Sequence, residues 1–79
     1  MEQPIIKMET IKKSYFVDKS RINYIRWIIE SYDGMAIVSI INPIDAIIEI
    51  SIAPGCEAIM NDLIQSLIDD EEIKLNPVI

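Results

Sequence analysis

The chain has no histidine, a single cysteine and only two glycines in 79 residues. Without His, neither an imidazole acid/base pair nor a Ser-His-Asp triad can be assembled within one chain. A structural zinc site takes about four Cys or His ligands, and only Cys56 is on offer. A lone Cys also excludes an internal disulfide and fits a reducing compartment. Long apolar runs are missing too. The richest stretch, Met35 to Pro54, is interrupted by Asn42, Pro43, Asp45 and Glu49, short of the roughly 20 residues a spanning helix needs. Met1-Glu2-Gln3-Pro4 has no basic segment leading into an apolar one, so the expectation is a cytoplasmic protein without a membrane partner. Positive charge is scarce: the net charge is −6. Residues 1–26 carry six cations against three acids, and residues 27–79 carry Lys74 alone against ten acids. That balance argues against nucleic acid as a partner, because phosphate binding needs dense positive charge. The charge split invites a complementary contact between subunits, or simply places the two segments side by side in one fold.

What the chain has in excess is isoleucine, 20 residues, within a 51% hydrophobic composition and a mean hydropathy of +0.27. A domain this small buries only about 60% of the surface its unfolded chain exposes. Apolar surface should therefore remain as a contiguous patch, the mark of a contact surface, and a homo-oligomer is expected. The bland alternative is a monomer with scattered apolar residues. Internal repeats and linkers are absent, so residues 1–79 read as a single domain.

Tyr15-Phe16-Val17 is dense in strand formers, and Thr10 to Val17 reads as a strand. Residues 1–9 read as an extended N-terminal arm or as the early part of that strand. Asp18 or Ser20 offers a side-chain cap to a helix over Arg21 to Tyr32, whose face is Ile22, Ile25, Ile29 and Tyr32, flanked by Ile28. Tyr24 and Trp27 point away from that face. Asp33-Gly34 ends the helix. Met35 to Ile41 and Ala46 to Ala53 read as strands joined at the turn cluster Asn42-Pro43-Ile44-Asp45, an antiparallel hairpin. Pro54-Gly55 breaks the second strand. A second helix runs from about Cys56 to Asp70, with Met60, Leu63, Ile64 and Leu67 on its apolar face, joined by Ile59 and Ile68. Lys74 to Ile79 makes a short last strand, at an edge because Pro77 lacks an N–H.

The order β-α-β-β-α-(β) is α+β and ferredoxin-like: an antiparallel sheet with two helices on one face. The strand faces bearing Ile48, Ile50, Ile52, Ala36, Val38 and Ile40 meet the helices. The opposite face, with Ile37, Ser39, Ile41 and Ile47, has none to cover it.

The run from Arg21 to Ala36 is the most distinctive. A helix ending Glu30-x-Tyr32-Asp33-Gly34, then a hairpin, then Ala53-Pro54-Gly55 before Glu57, resembles a family of small bacterial proteins that carry a domain of unknown function. The likeness spans roughly residues 15 to 71. It brings no catalytic motif. More remotely, the element order looks like the amino-acid-binding regulatory domains of the ACT type, by topology only. Those have Gly in the loop after strand one; here that loop is Asp18-Lys19-Ser20.

Candidate residues follow from these placements. Tyr32, Asp33 and Gly34, or Pro54, Gly55 and Cys56, could line a small-molecule site at a subunit boundary, with amino acids as the ligand class the ACT likeness implies. The homo-oligomeric contact is expected through the open sheet face or through the apolar edge strand Met35 to Ile41, with Tyr24, Trp27, Ile37, Ser39, Ile41 and Ile47 as candidate interface residues, since exposed aromatics serve as anchors. Trp27 could equally lie over a neighbouring strand edge or the other helix. Glu30 with Asp33, and the run Asp69 to Glu72, could hold a cation, or be solvated helix ends. Cys56 sits in the first turn of a helix, which lowers a thiol pKa, but has no His as base and Glu57 beside it; a small packed residue is the simpler reading. No constellation positions an acid, base or nucleophile, so the expectation is a non-enzymatic domain without metal or cofactor.

Overall fold

A computed structural model describes residues 10–78; residues 1–9, expected as an extended arm or the early part of the first strand, and Ile79, at the end of the expected last strand, lie outside the described residues. Strand β1 spans Ile11–Val17, helix α1 Ile22–Glu30, β2 Ala36–Asn42, β3 Ile47–Ile52, α2 Glu57–Asp69 and β4 Leu75–Pro77. The four strands form one antiparallel sheet in the order β2-β3-β1-β4. This is the ferredoxin-like arrangement, with β1 and β3 central and β2 and β4 at the edges. Pro77 lies in the edge strand β4, opposite Tyr15, where a missing N–H leaves no gap in the sheet's interior.

The core lies between the sheet and the helices. Tyr15 and Val17 of β1, Val38 of β2 and Ile48, Ile50 and Ile52 of β3 meet Ile22, Ile25 and Ile29 of α1 and Met60, Ile64 and Leu67 of α2. Half of the buried core residues are Ile. No charged side chain is buried among the described residues, so the core needs no ion pair to offset a buried charge. No helix among the described residues is long and apolar enough to cross a membrane.

Several local expectations need correcting. The chain enters α1 through a 3-10 turn at Lys19–Arg21, and neither Asp18 nor any other residue makes a side-chain cap there; backbone bonding from Arg21 N–H to the Asp18 carbonyl (2.8 Å) does that work instead. Because α1 ends at Glu30, Tyr32 falls out of the helical stripe and is exposed. Ile59 is exposed rather than part of the α2 core face, which narrows to Met60, Ile64 and Leu67 with Leu63 and Ile68 half-buried. Ile40 is on the covered side of β2 but exposed, since it sits on the edge strand beside a bulge between Ile40 and Asn42. Ala46 belongs to the hairpin turn, in the left-handed conformation (φ 55°), and its carbonyl accepts from Val17 N–H at 2.9 Å. Asn42 builds that turn by accepting from the N–H groups of Ile44 and Asp45, both at 3.0 Å, the local side-chain bonding that makes Asn a turn former.

Candidate functional site

The side of the sheet away from the helices is set by period-two alternation. The register places Ile37, Ser51 and Lys12 in one row across β2, β3 and β1, then Ser39, Glu49 and Ser14, then Asn42, Ile47, Phe16 and, on β4, Asn76. Ile37 is 62% exposed, Ile41 at the bulge 53% and Phe16 39%, with Ile47 half-buried. Three of the candidate interface residues, Ile37, Ser39 and Ile47, thus share one surface, with Ile41 at its margin. Phe16 joins them. It was overlooked as a contact residue, although its place between Tyr15 and Val17 in a strand already put it on the other face. Among the described residues of this patch, Lys12 and Glu49 are the one cation and the one anion.

The candidate ligand residues form two turns at one end of the sheet, because β2 begins where β3 ends. Met35 N–H donates to the Tyr32 carbonyl (3.1 Å) and Cys56 N–H to the Ala53 carbonyl (3.0 Å). The third residue of each turn is a glycine with positive φ, Gly34 at 73° and Gly55 at 86°, the conformation that favours Gly at that position of a β-turn. Pro54 pre-sets the second position of the other turn. A bond from Ala53 N–H to the Met35 carbonyl (2.8 Å) ties the turns together. Beside them is a hollow of about 180 Å³ lined by Gly34, Met35, Ile37, Ser51, Ala53 and Thr10 among others. Of the six candidate ligand residues only Gly34 lines it; Tyr32, Asp33, Pro54, Gly55 and Cys56 do not. Its side-chain polar groups are two hydroxyls, and no titratable side chain lines it. Cys56 precedes α2 as its N-cap residue without a side-chain cap bond, half-buried against the core.

The outer surface of α1 holds what sequence reasoning missed. Glu30 does not pair with Asp33. Its Oε2 accepts from Val38 N–H at 2.9 Å, and Arg26 Nη2 donates to the Val38 carbonyl at 3.3 Å. Arg26 Nε lies 4.0 Å from Glu30 Oε2. The two side chains thus occupy both outward-facing backbone groups at the middle of the edge strand. The i,i+4 spacing was visible as a local helix pair, but its target on β2 depends on how α1 docks. Trp27 is 67% exposed and, with Asn23, Arg26, Glu30 and Ser31, lines a hollow of about 320 Å³. Tyr24 stands at 6.2 Å from Trp27 between ring centroids, yet it is half-buried against the core and its hydroxyl donates to Glu71 Oε1. That bond raises the Tyr24 pKa, with burial and the Glu71 charge adding to it and Arg21 opposing. Tyr15 is also raised, by burial alone.

The acidic run is parcelled out among neighbours: Asp69 accepts from Gln65, Asp70 from Ser66 Oγ and Glu71 from Tyr24. No group of three or more Cys, Asp or Glu is placed to share a metal ion among the described residues.

Fold and surface together define a ferredoxin-like domain with one covered and one open sheet face. Residues 15–70 match the family model of a domain of unknown function, DUF4911, and the chain belongs to that family. No curated protein and no solved structure matches the chain.

Proposed function

We propose that the domain is a non-enzymatic interaction module of the cytoplasm that works as a homodimer, with the open sheet face as the contact. The observation that carries this reading is the grouping of Phe16, Ile37, Ile41 and Ile47 on a face without helices. A second copy is the occupant because the patch is self-complementary. It offers one cation and one anion, Lys12 and Glu49, so a two-fold axis sets each against its opposite and makes both ion pairs at once. The lone Cys suits the reducing setting. Light scattering at micromolar concentration is expected to give twice the 9.0 kDa chain mass; a stable monomer would sink the reading. Lys12→Glu and Glu49→Lys should each weaken the dimer, and the double exchange should restore it.

A second reading, an amino-acid sensor of the ACT type, is supported by the hollow beside the twin turns. Its volume falls below the roughly 300 Å³ at which ligand pockets begin, and the loop after β1 has no Gly, so the dimer reading is preferred. A thermal-shift series with amino acids decides between them: no stabilisation at millimolar ligand removes the sensor.

A further inference from the structure

We propose that Arg26 and Glu30 form a clip that holds the outer edge of β2 closed to a second copy of this chain. Edge strands present unpaired N–H and C=O groups that recruit other strands, and proteins guard them with charge, Pro or a bulge. From Ala36 to Ile41, β2 contains no charged residue and no Pro, and its residues are mostly β-branched. The bulge comes only after Ile40. Protection of the strand's middle comes instead from α1. The Glu30 carboxylate takes the Val38 N–H and the Arg26 guanidinium serves the Val38 carbonyl, the acceptor and the donor that a fifth strand would supply. Both side chains are partly solvent-exposed, 42% for Arg26 and 37% for Glu30, so the clip can be withdrawn without opening the core.

The strand that replaces it is β2 of another copy. Antiparallel pairing about a two-fold axis at Val38 supplies a backbone carbonyl and N–H in place of the carboxylate acceptor and guanidinium donor of the clip. The hollow beside the clip leaves space for an incoming strand's side chains, with Trp27 on its wall. This edge is distinct from the open face, so the inference stands whether or not the face dimerises.

The test compares the wild type with Glu30→Ala by light scattering over a wide concentration range, with circular dichroism to confirm the fold. The expected result is a particle heavier than the wild type, of twice its mass where the open face does not dimerise and of at least twice where it does, and a blue shift of Trp27 emission. Adding Ile40→Lys, a charge on the same edge, should return the mass to the wild-type value. A folded Glu30→Ala variant with unchanged mass at every concentration overturns the proposal, as does an increase that Ile40→Lys fails to reverse. Should Glu30→Ala not fold, Arg26→Ala takes its place, with the same two outcomes deciding.

Discussion

Along β3, Ile48, Ile50 and Ile52 are fully buried, while Ile47, Glu49 and Ser51 between them face the side without helices. The two faces draw on the same residue type, for Ile37, Ile41 and Ile47 lie on or beside the uncovered side. What separates them is whether a helix lies opposite. On the covered side of β3 each Ile packs into the core beneath the helices; on the open side the same side chain is surface available to a partner. The edges differ in a parallel way. β4 carries Pro77 in its own sequence, whereas β2 has its backbone groups occupied by side chains from α1.

The contrast is broken most severely from the covered side. Ile50→Ala removes a fully buried side chain from the central strand, and urea denaturation should show a loss of about 2–5 kcal/mol. Ile37→Ala, at the same chemistry on the open face, should change the stability of the folded monomer by no more than about 0.5 kcal/mol. Equal losses at the two positions would mean that the faces are not as different as their exposure implies. Phe16→Lys addresses the open face as a contact: it should leave the monomer folded and weaken self-association by at least tenfold, about 1.4 kcal/mol, in a sedimentation or dilution experiment. The faces also depend on register, since a one-residue slip would exchange them. Gly34→Ala forces an L side chain into positive φ at the turn that starts β2, in open space with nothing within 4 Å of the added carbon. The cost is backbone strain alone, roughly 1 kcal/mol in thermal or chemical denaturation.

The smallest effect is expected at Tyr24, which ties α1 to the segment after α2. Its bond to Glu71 raises the phenol's pKa above the ordinary 10.0, so the folded state holds this proton more tightly than the unfolded chain does. The resulting stabilisation is present below the ordinary tyrosine value and is lost as pH rises through the raised one. Tyr24→Phe should remove one late-titrating phenol from the ultraviolet alkaline titration and reduce the alkaline loss of stability. The buried Tyr15 should remain late-titrating in that variant. Loss of a phenol that titrates at the ordinary tyrosine value would mean that the Tyr24–Glu71 bond does not form in solution.

Much of this was legible along the chain. The alternation through residues 47–52 assigned both faces of β3, and the spacing of Ile22, Ile25 and Ile29 located the buried side of α1. Gly34 and Gly55 marked the two turns because positive φ is a local, steric requirement. The misreadings share a cause. Tyr24 pointed away from the Ile stripe by helical angle, but the segment carrying Glu71 folds back beside it. Ile59 fitted an apolar stripe, but the cover over α2 stops short of it. Glu30 and Asp33 looked like a pair because they are near in sequence; Glu30 instead reaches Val38, eight residues on.

Sequence alone determined the element order, the alternation of each strand, the turn positions and the lack of His and of a second Cys, because each follows from local geometry or from composition. Tertiary structure decided which apolar residues became core, which carboxylate guards an edge and which hydroxyl finds an acid. Those outcomes depend on helix docking, which joins side chains far apart in the chain and is set by the packing of the whole core rather than by any short stretch of residues.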